Sequence, residues 1–148
     1  MEQSQIQLFV MQNIDLVGLN YFWEESTRLT IKKETQNGFD ISIEDSDGVI
    51  HIETDNGYHT YIEIQDYKSY KEALTYIFGL VRDMLSTTVR IRVILKNNKP
   101  VKWILEYFDG SKWQQEDIMG LLFFNIFGKT TQQIYTNDIL PPREVEKI

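Results

Sequence analysis

The residues best suited to chemistry in this chain are His51 and His59, its only histidines, with Glu53 between them in sequence. An imidazole pair beside a carboxylate can bind zinc or exchange protons near neutral pH. A zinc site wants three or four protein ligands, and only Glu53, Asp40 and Tyr61 are placed to supplement the histidines. A solvated histidine beside acids is more commonly a plain charge partner, so the expectation is no catalytic residue, no metal site and no cofactor. Asp45-Ser46-Asp47-Gly48 has the opening of a calcium loop, but the glycine and glutamate of that pattern do not follow at the required positions. A four-residue hairpin loop accounts for it. Gly-rich phosphate loops, a Gly-x-Ser-x-Gly elbow and a His-Glu-x-x-His motif are absent from the sequence.

These residues lie in a stretch, Thr35 to Tyr67, that holds eight acids and no Lys or Arg. Phe39, Ile41 and Ile43, then Ile50 and Ile52, then Ile62 and Ile64 alternate with polar residues, the pattern of half-buried strands. The spacing predicts strands over Arg28–Thr35, Phe39–Glu44, Val49–Thr54 and Tyr58–Gln65. Gln36-Asn37-Gly38 and Asp55-Asn56-Gly57 each place glycine third in a three-residue loop, where a left-handed residue is needed. Keeping the isoleucines on one face gives a register in which Ile31, Ile43, Ile50 and Ile62 stand opposite one another. The other face then carries three rows: Glu34, Asp40, Glu53, His59; Lys32, Ser42, His51, Tyr61; and Thr30, Glu44, Val49, Glu63. Like charges in one row destabilise a sheet, so the first row implies a surface retained for recognition.

Elsewhere the periodicity is mixed. Ile6, Phe9, Val10, Ile14 and Val17 predict a helix over Gln5–Val17 behind Ser4, with a strand through Ile6, Leu8 and Val10 as the competing reading. Tyr21, Phe22 and Trp23 form an aromatic cluster expected to fill core. Ser69 and Glu72 make a capping-box pattern before the stripe Ala73, Leu74, Ile77, Leu80, Val81, Met84 and Leu85, which predicts a helix over Ser69–Leu85. Val89–Leu95 and Val101–Tyr107 alternate around Asn97-Asn98-Lys99-Pro100 as a hairpin, and Asp109-Gly110 is a turn. Gln114–Phe127 is apolar on every side and is expected as a buried helix ending at Gly128, with a buried strand as the alternative. Gln132–Thr136 is a short strand, Pro141-Pro142 stops regular structure, and residues 143–148 are expected to be a mobile tail.

The fold class expected is α+β: an antiparallel meander of about four strands plus a second hairpin, packed against two or three helices, in a single domain over residues 1–148. Cysteine is absent, which suits a reducing compartment. The first basic residue is Arg28 and no secretory start is evident, so a cytoplasmic location is expected. Ile118–Phe127 falls short of the roughly 20 residues of a membrane helix, and no membrane partner is expected. Arg90, Arg92, Lys96, Lys99 and Lys102 near Trp103 and Trp113 resemble a basic aromatic surface, yet a net charge of -7 opposes phosphate binding, so no nucleic-acid partner is expected.

Two functions of different kinds fit. One is a non-enzymatic protein-binding module that uses Asp40, Glu44, Glu53, His59, Tyr61 and Glu63 on an acidic sheet face to capture a basic protein partner. Intracellular inhibitors of basic enzymes, including toxin-immunity proteins, have this physical character of small, acidic, cysteine-free chains. The other is a domain with a small-molecule pocket, or a minor enzymatic activity, between helix and sheet, lined by Phe39, Trp103, Tyr107 and Phe123. Few polar groups point inward to do chemistry there, which ranks the binding module first.

Overall fold

The computed structural model describes residues 4–120 and 128–143, which form an α+β fold with two antiparallel sheets. Its backbone clusters into two compact units. The first takes the chain up to Lys33 together with Phe39–Val81; the second takes Glu34–Gly38 and the chain from Arg82 onward.

The first unit opens with α1, Gln5–Asn13. Ser4 caps it by accepting the Gln7 N–H at 3.2 Å and donates its own hydroxyl to the Ser26 carbonyl. The helix expected to reach Val17 ends at Asn13. Asn13 donates its side-chain amide back to the Phe9 carbonyl, and Asp15 accepts the Val17 N–H, an Asx turn that competes with helical hydrogen bonding.

Five strands follow: β1 (Tyr21–Glu24), β2 (Arg28–Ile31), β3 (Ile41–Ser46), β4 (Val49–Thr54) and β5 (His59–Glu63). They form one antiparallel meander in chain order. Leu29, Ile31, Ile41, Ile43, Ile50 and Ile52 are buried on its inner face. The aromatic cluster expected in the core is instead the edge strand β1, with Tyr21 and Phe22 exposed. A four-residue run of large side chains displays no alternation from which a strand could be read.

The expected register holds for one pair of strands and fails for two. Between β4 and β5, Ile50 faces Ile62, His51 faces Tyr61 and Glu53 faces His59, as the three-residue loop Asp55–Gly57 requires. Between β3 and β4, Ile43 faces Ile52, not Ile50, and Ser42 faces Glu53. Between β2 and β3, Leu29 faces Ile43 and Ile31 faces Ile41. The cause of the first shift is the turn. Ser46 pairs with Val49, leaving only Asp47 and Gly48 as the loop, both at positive φ (49° and 84°), the geometry of a two-residue I′ hairpin. Each strand keeps its isoleucines inward, since a shift of two residues preserves the face. The row Glu34, Asp40, Glu53 does not exist.

After a 3₁₀ turn at Ile64–Asp66 comes α2, Tyr70–Met84. The Glu72 N–H donates to Ser69 Oγ at 3.1 Å, the cap the sequence predicts, while the Glu72 carboxylate reaches one residue further back and accepts the Lys68 N–H at 3.1 Å in place of that of Ser69. Ala73, Leu74, Ile77, Phe78, Val81 and Met84 are its buried stripe, and Phe78 stacks on Phe9 of α1 with centroids 5.7 Å apart.

The second unit is a four-stranded sheet of order β8-β7-β6-β9, built from β6 (Val89–Lys96), β7 (Lys99–Phe108), β8 (Trp113–Gly120) and β9 (Thr130–Thr136). As far as Gly120 the segment from Gln114 is a strand, the alternative to the expected helix, but a largely exposed one rather than a buried one; residues 121–127 lie outside the described residues. The turn at Asp109-Gly110 folds it back on β7, pairing Phe108 with Trp113 and Lys102 with Gly120. A register shift beside Leu105 and Glu106 breaks the period of two that would decide for a strand in the sequence. Beyond β9 the chain returns to the end of α2: Asn137 Nδ2 donates to the Met84 carbonyl, and Ile139 and Leu140 donate to that of Leu85. Apart from Arg143, which donates twice to Asp83, the expected tail lies outside the described residues.

Candidate binding face

The outer face of the five-stranded sheet carries two complete rows. One reads Glu24, Arg28, Glu44, His51, Tyr61 and the other Phe22, Thr30, Ser42, Glu53, His59. A third, shorter row sets Ser46, Val49 and Glu63 side by side. Asp40 and Lys32 continue the outward positions of β3 and β2, with Nζ to Oδ2 at 2.7 Å. Asp40, Glu44, Glu53, His59, Tyr61 and Glu63 therefore share a face, but in a different arrangement from the one expected.

The acids on this face are not bare. Arg28 spends each of its three nitrogens on a different carboxylate: Nε on Glu24 at 3.1 Å, Nη1 on Glu44 at 3.0 Å and Nη2 on Glu53 at 3.1 Å. Burial pulls the guanidinium pKa down, but the bonds and charges of Glu53 and Glu44 outweigh it and the net shift is upward. Asp40 is tied more tightly still. It takes Lys32 Nζ and the Lys33 N–H on its two oxygens while its own N–H donates to Asp55. Burial alone would raise its pKa; the Lys32 and Lys33 bonds prevail and lower it. Asp40 is thus a fastening of the β2–β3 connection.

Arg28 is the residue that counting acids from Thr35 misses. It shares the parity of Thr30 on β2, as Lys32 does just beyond the strand, and that parity is the signal by which it can be placed on the outer face. Asp45 leaves this face: it stands opposite Ile50 and accepts the Tyr70 hydroxyl. Desolvation first, then the Asp45 bond and charge, push the Tyr70 phenol strongly up.

What remains open on the face is Glu53, His59 and Tyr61, all exposed, with Glu63 half-buried. Tyr61 packs beside His51 with ring centroids 6.1 Å apart. Glu24, Glu25, Thr27, Arg28 and Glu44 line an open hollow of about 470 Å³ at the β1–β2 end. Among the described residues no group of three or more His, Asp or Glu side chains is placed to hold a metal ion.

The basic strand of the second unit is also internally paired. Glu106, buried, binds Arg90 Nε at 2.8 Å and Arg92 Nη2 at 3.2 Å, and Arg90 lies over the Trp113 ring at 4.1 Å. Burial would raise the Glu106 pKa, but the two arginines lower it. Of the residues expected to line a pocket, Phe39 is fully buried in the first unit, Trp103 and Tyr107 belong to the second, and Phe123 lies outside the described residues. Among the described residues no helix is long and apolar enough to cross a membrane. Comparison of the chain with protein-family models, with curated proteins and with solved structures found no match.

Proposed function

We propose that this chain is a non-enzymatic protein-binding module in which the acidic outer face of the five-stranded sheet captures a basic protein partner. The observation that carries the reading is the division of charge. The first unit holds 13 acids and 5 bases, a net -8, while the second holds 9 acids and 10 bases, a net +1. The net negative charge belongs to the first unit, five of whose acids, Glu24, Asp40, Glu44, Glu53 and Glu63, stand on one sheet face, and this supports a directed field for steering a cationic partner. Glu53, Glu63, His59 and Tyr61 are the contact residues of this reading; Glu53 also pairs with Arg28, and Glu44 and Asp40 stand behind them in ion pairs of their own. Tyr61 supplies the exposed aromatic area that binding hot spots favour. An intracellular inhibitor, such as a toxin-immunity protein, is the kind of function this serves.

The experiment is affinity capture with the full chain as bait, followed by identification of the captured protein and a salt series. The double variant Tyr61→Lys/Glu63→Lys should keep the wild-type circular dichroism spectrum and lose the partner. Asp40 and Glu53 are left intact because the first holds the β2–β3 connection and the second anchors Arg28 across β3. A captured partner that is acidic, or that binds the double variant equally well, would refute the reading.

A further inference from the structure

Among the described residues the outer edge of β9 is open from Thr130 to Ile134. Its inner edge pairs with β6 from Lys96–Thr130 to Arg90–Thr136 without a bulge. Two bonds settle which backbone groups face which way: the Asn97 N–H donates to the Lys129 carbonyl at 3.0 Å, and the Thr136 N–H donates to the Asn37 carbonyl at 2.9 Å. In an antiparallel pair the N–H and C=O of one residue point to the same side, and successive residues alternate. Lys129, Thr131, Gln133 and Tyr135 therefore turn to β6, while Thr130, Gln132 and Ile134 turn away from it. Among the described residues the outward backbone groups of these last three have no partner.

Open edges invite pairing, and proteins blunt them with charge, bulges or brevity. The other three edges of the two sheets are treated in this way. β1 is four residues long and runs into Glu24 and Glu25, β5 ends on Glu63, and β8 carries Glu116 and Asp117 beside its register shift. β9, with the sequence Thr-Thr-Gln-Gln-Ile-Tyr-Thr, has no charge, no proline and no bulge.

We propose that β9 pairs antiparallel with β9 of a second copy of this chain, joining the two four-stranded sheets across a two-fold axis at Gln132. The Thr136–Asn37 bond closes one end of the open stretch and leaves Thr130, Gln132 and Ile134, which are symmetric about Gln132. Gln132 then faces Gln132 of the second copy and Thr130 faces Ile134, each pair exchanging two main-chain bonds. That symmetry selects a second copy as the occupant, since an identical antiparallel edge meets the outward groups of all three residues with its own three. Charge does not oppose it there: two chains of net charge -7 repel, but the second unit carries only +1 and its edge is uncharged.

The test is analytical ultracentrifugation of the full chain over a concentration series. Gln132→Pro removes an outward N–H and leaves every bond to β6, since proline is tolerated on an edge strand where its nitrogen faces away. Ile134→Lys is the second variant and places a charge on the edge without touching the inner ladder. The wild type should form a dimer, and each variant should weaken it at least tenfold with an unchanged circular dichroism spectrum. If Gln132→Pro does not fold, Ile134→Lys alone decides. A wild type monomeric up to about 1 mM, a weak limit for specific association, overturns the proposal, and so does a dimer that survives both variants or the one that folds.

Discussion

Arg28 on β2 reaches across the whole of β3 to Glu53 on β4, with Nη2 and Oε2 3.1 Å apart. The same guanidinium holds Glu44 of the intervening strand and Glu24 of β1, so one cation links four consecutive strands on the outer face. All four side chains are partly solvated, and the Coulombic gain of each pair is modest. The larger effect is what remains without Arg28: carboxylates on neighbouring strands with no counter-ion. Arg28→Met should lower stability by about 1–2 kcal/mol at low salt. Most of that loss should vanish in about 1 M salt, where the screening length is about 3 Å. Urea melts at two salt concentrations check this, and equal stability of the two proteins at low salt would contradict it.

The turn at Asp47-Gly48 sets the β3–β4 register, so its glycine should be felt through backbone conformation alone. A Cβ at Gly48 would meet nothing within 4 Å, but the residue sits at φ +84°. Gly48→Ala should therefore cost about 1 kcal/mol from the left-handed conformation, without any clash. Asp47→Asn, which suits a I′ turn equally well, should be close to neutral. Thermal melts of the two variants separate these outcomes, and a neutral Gly48→Ala would show that the turn does not need its geometry.

How much could be read from the chain depended on whether a local rule was met by one solution or several. Ser69 with Glu72 and the stripe from Ala73 to Met84 agree on a helix, and it is there with its cap. Ile43 could face either Ile50 or Ile52 with the isoleucines still inward, and hydrophobicity cannot choose between registers two residues apart. Asp47-Gly48 does choose, because Asp-Gly is a strong two-residue hairpin signal. Trp113–Gly120 reads as helix or strand for another reason: its apolar residues continue into Leu121–Phe127, and the bulge beside Leu105 breaks the alternation that would decide for a strand. The face of the acids followed from parity and survived the change in register. Their neighbours did not, and with them went the idea of an unpaired acidic row.

Glu106 should dominate acid sensitivity in the second unit. Its pKa in the folded chain is below the ordinary 4.5, held there by Arg92 and Arg90 against burial. Its stabilising contribution is therefore complete above pH 4.5 and drains away as pH falls through the lowered value. Glu106→Gln leaves two half-buried arginines without their carboxylate and should cost about 2–3 kcal/mol near neutral pH. The two proteins should converge in stability at acid pH, where both carry an uncharged side chain at this position. Chemical denaturation from neutral pH downward measures the gap, and a gap independent of pH would assign the loss to packing.

Tyr70 titrates in the opposite sense. Burial, aided by Asp45, raises its phenol well above 10.0, so the neutral form is favoured by folding. Its contribution is present below pH 10.0 and is lost as pH rises through the raised value. Asp45→Asn removes the charge and its repulsion of the phenolate, while burial, the larger cause, stays. Tyr70 in that variant should ionise earlier than in the wild type and still later than an exposed tyrosine, which ultraviolet titration of phenolate absorbance can follow with Tyr70→Phe as the reference. Because the hydroxyl ties the first turn of α2 to β3, Tyr70→Phe should also destabilise the first unit at neutral pH, by about 1–2 kcal/mol for a hydrogen bond to a charged acceptor. An Asp45→Asn titration identical to the wild type would mean that burial alone sets the phenol.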